Sequence, residues 1–297
     1  MSNKPRKMTL EKKHNLTGWA FLAPATFLIA VFSFWPMIKA LVLSFQTGKG
    51  RNMQMAGFTN YIRMFQDDVF IQSIKNTFFY FILQVPIMLV VALVLACILN
   101  KKDLRFKGFF RTMIFVPCTT SLVAYSIIFR SLFANDGLVN YVLVNIGILD
   151  KPYNFLTQPF AAKVVIILGL LWRWTGYNMV FFLSGLQNIE YSVYEAAKID
   201  GASAIQTFFK ITVPLLKPTI LLTAIMSTNG TLQLFDESIN LTDGGPANAS
   251  ISMSHYIYNL CFKYVPNFGY AAAMSFFILL LVAVLAFIQM RVGDKRD

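Results

Sequence analysis

Charge is scarce in this sequence. Only 13% of the 297 residues are charged, where soluble domains carry about 25%, and 14 acids face 26 lysines and arginines. With 56% of the residues hydrophobic, that shortage argues against a water-soluble globular domain and for an integral membrane protein. The net charge of +12 does not indicate nucleic acid, because the bases sit between apolar runs and build no single basic face. Cysteine is nearly absent. Cys97, Cys118 and Cys261 lack metal-ligand spacing and lie in or near apolar segments, so they read as packing residues. The only histidines, His14 and His255, stand apart in sequence, which makes a metalloenzyme a poor reading. No phosphate loop is present. The segment TGKG (Thr47–Gly50) lacks the upstream glycine and the Lys-Ser/Thr ending, so no ATP site is expected in the chain. A cleavable signal is not expected either, since the first apolar run is too long and has no small-residue cleavage site. The sequons NLT, NGT and NAS are patterns that arise easily by chance.

What the chain does have is long apolar runs. A membrane-spanning helix needs about 20 mostly apolar residues. Six runs qualify: Trp19 to about Met37, Phe78–Leu99, about Thr112 to Phe129, about Val164 to Leu186, about Pro218 to Phe235, and Tyr270–Met290. The expectation is an all-α membrane protein with six transmembrane helices in a single domain over 1–297. Helices are the one open-ended structure that satisfies its own backbone in lipid. Pro24, Pro36, Pro86 and Pro117 fall in or at the ends of these runs, where neighbouring groups can take up the freed carbonyls.

Basic residues set the expected orientation. Lys4, Arg6, Lys7, Lys12 and Lys13 precede the first span. Lys101, Lys102, Arg105, Lys107 and Arg111 join the second and third. Lys198, Lys210 and Lys217 join the fourth and fifth, and Arg291, Lys295 and Arg296 follow the last. In a six-span arrangement all four groups fall on one side, so both termini are expected in the cytoplasm. The loops Gly48–Lys75, Ala134–Lys163 and Glu237–Asn267 then lie outside, with the turn sequences NDG (Asn135–Gly137) and DGGP (Asp243–Pro246).

Between the fourth and fifth spans, about 190–218, runs YEAAKIDGASAIQTFFKITVPLLKP. Ser192–Ile199 favours helix. Asp200-Gly201 reads as a break, because glycine readily takes the left-handed conformation that ends a helix. Ser203–Ile211 resumes helical spacing, Pro214 is expected to stop it, and Pro218 fits the first turn of the next span. The product is two short helices with a glycine elbow, one face apolar and the other carrying Glu195, Lys198, Asp200, Gln206 and Lys210. Periodicity leaves two partners open: the lipid surface or a groove on another protein.

The same stretch resembles the EAA loop of ABC-importer permeases, whose pattern is E-A-A, D-G-A, an aromatic and I-x-x-P. Here these are Glu195-Ala196-Ala197, Asp200-Gly201-Ala202, Phe208 and Ile211–Pro214. Three further segments resemble the maltose-type carbohydrate permeases: WRWTGYNMVFFLSGLQNI (Trp172–Ile189), FDESINLTDGGPANAS (Phe235–Ser250) and YIYNLCF with FGYAAAMS (Tyr256–Phe262, Phe268–Ser275). The resemblance spans nearly the whole chain, although Arg173 stands where many relatives are neutral or carry lysine. It implies the type I ABC-importer permease fold in a bacterial inner membrane, and ATP-driven import of a di- or oligosaccharide. It also implies a second homologous permease, an ATPase dimer that holds ATP and magnesium, and an extracytoplasmic sugar-binding protein. By this resemblance Glu195 contacts the ATPase and Gly201 makes the elbow. The apolar face near Phe208 and Phe209 packs into the ATPase cleft or against the permease's own helices.

The residues themselves suggest a path for substrate. Arg173 lies near the middle of the fourth span, where a charge is costly and should face the bundle interior. It either donates to sugar hydroxyls or pairs with a buried acid or backbone carbonyls. Trp172, Trp174 and Tyr177 could stack on a sugar ring or simply pack. Residues 173 and 177 share a helix face, whereas 172 and 174 do not. The fifth span is rich in polar residues (Thr223, Ser227, Thr228, Asn229, Thr231, Gln233) around Gly230, which suits a wet cavity. By the resemblance Asn229, Thr231 and Gln233 lie on the sugar path, and Asp236 and Glu237 lie there or at its outer mouth, the alternative for these two being a solvated position or a contact with the binding protein. An ion-gradient-driven secondary transporter is the alternative. It predicts buried acids in mid-span and internal repeats, and neither is evident.

Overall fold

The long apolar runs form helices, as the absence of water in a bilayer requires. The computed structural model describes residues 9–49, 52–101 and 103–293. The basic residues Lys4, Arg6, Lys7, Lys102, Lys295 and Arg296 used to orient the chain lie outside these. In order come α1 (Leu10–Ile29), a π-turn (Ala30–Phe34), α2 (Trp35–Ser44), strands β1 (Gln46–Lys49) and β2 (Asn52–Met55), α3 (Thr59–Met64) and α4 (Asp68–Leu99). Then follow α5 (Lys107–Thr119), α6 (Leu122–Leu132), α7 (Leu138–Asn145), α8 (Pro159–Gln187), α9 (Tyr191–Ile199) and α10 (Ala204–Thr207). A second π-turn (Phe208–Thr212), α11 (Val213–Leu215), α12 (Lys217–Leu232), α13 (Asp236–Thr242), α14 (Met253–Tyr258), a third π-turn (Asn259–Lys263) and α15 (Phe268–Gly293) complete the chain. One antiparallel hairpin, β1 with β2, interrupts the otherwise helical architecture expected from the sequence.

Among the described residues, four helices are long and apolar enough to cross a membrane: Leu10–Ser44, α4, α8 and α15. The third and fifth expected spans are bent pairs, and counting each pair as one span gives six. The third, expected as one helix over about Thr112–Phe129, is α5 and α6 meeting at 99°. Pro117 removes an amide donor from the last turn of α5, and Thr120 and Ser121 turn extended (ψ 141° and 136°), so the helix cannot continue. The fifth is α12, only 16 residues long, reached from Ala204–Leu215 through a 71° bend.

Proline does not end the helix where the sequence suggested. The helix continues through Pro214 and breaks at Leu216 (φ −87°, ψ 0°). The π-turn explains why: the Val213 amide reaches back five residues to the Phe208 carbonyl, so the helix loosens ahead of the proline ring. The same device occurs ahead of Pro36, where the Trp35 amide bonds to the Ala30 carbonyl. Both of these π-turns end two residues before their prolines.

The packed body forms around α4 and α8. Ala92, Ala96, Met179, Phe182, Leu186 and Leu216 make one buried cluster. Tyr80, Tyr125, Ile166 and Leu241 centre a second. Phe70, Met253, Tyr270 and Met274 belong to a third. At Gly176 a Cβ would fall 1.9 Å from the Ile114 carbonyl oxygen, so glycine alone lets α5 cross α8 this closely. Asp67 ties three helices together. Its Oδ1 accepts the Val69 and Phe70 amides at the start of α4, and its Oδ2 accepts the hydroxyls of Tyr256 (2.7 Å) and Tyr270 (2.8 Å). By contrast, no residue with a described side chain in Leu10–Phe34 is buried. The N-terminal helix continues into α2, which packs on α15.

Candidate substrate cavity and coupling loop

Residues three and four apart on a helix face one way, and three such faces enclose a cavity of about 460 Å³. Helix α8 contributes Leu170, Arg173, Trp174, Tyr177 and Asn178, helix α12 Ser227, Gly230 and Thr231, and helix α4 Gln84 and Met88. Gln233, Asp236 and Glu237 close one end. A polar ladder runs up the wall. Thr231 Oγ1 donates to Gln84 Oε1 (2.8 Å), Ser227 Oγ donates to Asn178 Oδ1 (3.3 Å), and Asn178 Nδ2 donates to the Trp174 carbonyl (3.0 Å). Gln84 and Asn178 are absent from the sequence-based set. Gln84 is the one amide in the charge-free run Phe78–Leu99, and that singularity was the available signal.

Seven of the nine sequence-derived pathway residues line this cavity: Arg173, Trp174, Tyr177, Thr231, Gln233, Asp236 and Glu237. Trp172 does not. It stacks on Tyr125 at 6.1 Å and leans on Phe129, on another face of α8. Asn229 is exposed and reaches the rim only through its hydrogen bond from Gln233 Nε2.

Arg173 is 7% exposed and has a backbone partner. Its Nη1 donates to the Thr120 carbonyl at 2.8 Å, the acceptor freed where α5 and α6 part. Its guanidinium lies 5.3 Å from the Tyr125 ring centre and 5.4 Å from that of Trp174, within cation–π range. Nε has no partner among the described residues. Glu237 is 4% exposed, and burial pushes its carboxyl up from the usual range. Asp236 adds to that rise. The backbone hydrogen bond of Glu237, the Arg173 charge and the Trp174 side chain oppose it.

A second polar cluster, beyond α12, mimics a nucleophilic triad without its chemistry. Ser238 Oγ is 2.9 Å from His255 Nδ1, and His255 Nε2 is 3.7 Å from Asp243. Both Ser238 and His255 are fully buried. The Ser238 hydroxyl donates to the Ser250 carbonyl (3.1 Å) and accepts the Ser252 amide (3.2 Å). Its proton is therefore engaged, His255 donates from Nδ1, and the cluster locks the turn at 243–252. Burial lowers the His255 pKa from 6.5 to about 4, against the opposing pull of Asp243. A depressed histidine pKa means that protonation opposes folding. The stabilisation is complete above about pH 6.5 and is lost as pH falls towards 4. Between pH 7 and 5 this turn should lose about 2 kcal/mol. Hydrogen exchange across 236–258 measures that loss, and His255→Asn should remove the pH dependence.

The sequence-derived coupling residues fall on a helix–turn–helix. After α9 the Ala202 amide bonds to the Ala197 carbonyl (2.9 Å) and the Gly201 amide to the Lys198 carbonyl (3.2 Å). This is a Schellman ending with Gly201 at φ +75°. Ser203 then opens α10 with a capping box to Gln206. Ala197 is buried, and Phe208 packs inward with Leu216 and Val213. Phe209 is 64% exposed, and Ile199 and Ile205 are exposed as well. Glu195, Ala196, Asp200 and Pro214 are also exposed.

The sequence profile of the family described as "Binding-protein-dependent transport system inner membrane component" matches residues 21–296. The chain belongs to that family. The permease is 52% identical over 292 residues to the lactose transport system permease protein LacF of Rhizobium radiobacter, covering 98% of each chain. It is 33% identical to the multiple sugar-binding transport system permease protein MsmF of Streptococcus mutans, covering 97% and 99%. Its fold matches a solved chain of a bacterial alginate ABC transporter in complex with an alginate pentasaccharide-bound periplasmic protein. The TM-score is 0.84 at 25% identity, over 96% of each chain. The permease is thus the multi-pass membrane component of an ABC importer, not itself catalytic, and the secondary-transporter alternative is set aside.

Proposed function

We propose that the permease forms half of the path for a di- or oligosaccharide across a bacterial inner membrane, with both termini in the cytoplasm. The observation that carries this reading is the cavity between α4, α8 and α12. Its volume of about 460 Å³ lies within the range of small-molecule sites. It sets amide, hydroxyl and carboxyl groups beside the ring faces of Trp174 and Tyr177, the mixture that a sugar with polar edges and apolar faces requires. Arg173 and Gln84 shape the wall through their own hydrogen bonds, while Gln233 and Asp236 are the groups placed to meet hydroxyls. Trp172 serves packing. The names of the lactose and multiple-sugar relatives support the sugar class.

The coupling loop would dock on an ATPase dimer that holds ATP and magnesium. Phe209, Ile199 and Ile205 would enter its groove and Glu195 would make a polar contact at the edge. A second homologous permease would complete the path, and an extracytoplasmic sugar-binding protein would deliver the substrate. Closure of the ATPases would move the loop and switch the cavity between inward-facing and outward-facing states.

Vesicles reconstituted with all components, and with ATP on the loop side, test this. Disaccharides and short oligosaccharides should accumulate, and Gln233→Ala should raise the half-saturating concentration about fivefold, the worth of one hydrogen bond. Accumulation of amino acids with no sugar uptake would overturn the reading.

A further inference from the structure

At the opposite end of the same helices the permease forms a second, larger hollow of about 810 Å³. One wall is the α4–α5 connection with the start of α5, carrying Lys101, Lys107 and Arg111. The facing wall is α9, with Tyr191 and Tyr194. Three cations line it against one acid, Asp103. Lys107 and Arg111 are four residues apart and project from one face of α5. Arg111 is anchored. Its Nη2 donates to the Leu99 carbonyl (2.8 Å), and its buried Nε has no partner among the described residues. Lys101 and Lys107 are exposed and enter no ion pair among the described residues.

Depth identifies what such a charge could meet. Helices α4 and α8 are spans, and they end at Leu99 and Gln187. The hollow begins at those ends, where apolar helix gives way to basic and tyrosine side chains, which is the headgroup level of a bilayer. On the same helix as Lys107 and Arg111, Phe106, Phe109 and Phe110 are exposed, a surface that acyl chains can cover and a free anion does not need. We propose that the hollow binds the phosphate of one anionic phospholipid, with Lys101, Lys107 and Arg111 around it and the acyl chains along Phe109 and Phe110. Because α9 forms the facing wall, the bound lipid braces the proposed coupling helix against the α4–α5 connection. The proposal rests on α4 and α8 being spans and is independent of the sugar.

Native mass spectrometry of the intact transporter tests it, after exchange into nanodiscs of phosphatidylcholine with or without phosphatidylglycerol. The wild type should retain a phosphatidylglycerol. The Lys101→Gln/Lys107→Gln double variant should retain it about thirtyfold more weakly, from two lysines near the surface, and the double arginine variant should keep it. Equal retention by the glutamine variant would overturn the site. Displacement of the lipid by inorganic phosphate would overturn the lipid and leave a free-anion site. Loss of the lipid whenever the ATPase is present would reassign the hollow to an acidic segment of that partner. Sugar uptake is measured separately, so failure of the transport reading leaves the retention result intact.

Discussion

Gly201→Val should lower ATP-driven uptake about tenfold or more while membrane insertion and subunit assembly remain normal. Gly201 sits at φ +75°, and a Cβ built there meets no atom within 4 Å. The constraint is therefore the backbone conformation, with no crowding involved. A β-branched residue in that conformation costs about 1–3 kcal/mol. The elbow can relieve that strain only by breaking the Ala202 and Gly201 amide bonds back to Ala197 and Lys198, which would re-aim α9 relative to α10. The side chain itself sets the expected order of uptake. Asparagine, which tolerates the left-handed region, should be nearly normal, alanine intermediate and valine worst. Uptake and ATPase assays on reconstituted transporter check this, and equal uptake for asparagine and valine would show that the elbow geometry is unimportant.

Arg173→Met should destabilise the permease by about 2 kcal/mol and abolish most uptake. The arginine satisfies the part-buried Thr120 carbonyl, and removing it leaves that acceptor without this partner, at a cost of about 1–3 kcal/mol. It also removes the cation that opposes the rise in the Glu237 pKa. Lysine keeps the charge but not the planar fork, so Arg173→Lys should recover part of the stability. Thermal unfolding in detergent, followed alongside uptake, separates two roles. An arginine that only donated to sugar would leave the unfolding temperature of the methionine variant unchanged and alter uptake alone.

These two residues mark how far the sequence could be read. Gly201 was legible because a helix ending of this kind is local: a glycine two residues after the last helical position, with its partners three and five residues back. The four long apolar helices were legible for the same reason, since span length is a local count. The break at Thr120 was not. Pro117 is tolerated in many membrane helices, and the group that stabilises the break comes from Arg173, 53 residues further on. That Arg173 and Tyr177 line one cavity followed from helical spacing, which also separated the two tryptophan faces. The contribution of α4 stayed hidden, because one glutamine in an apolar run has no local partner to point to. The exit from the coupling loop was misread at Pro214, since the widened turn that accommodates a proline leaves no mark in residue type.

The N-terminal helix carries a consequence for the order in which the chain is made. Leu10–Phe34 leaves the ribosome before every other described element, and none of its described side chains is buried on its own chain. It can enter the bilayer as soon as it is long enough to span. Its continuation, α2, meets the opposite situation. Its packing partner is α15, the last of the described helices in chain order, and at Gly269 that helix runs so close to the chain leaving α2 that a Cβ would fall 2.1 Å from the Gln46 carbonyl oxygen. Closure of the bundle therefore awaits synthesis of α15, and the first described segment to be made is among the last of the described elements to be locked in place.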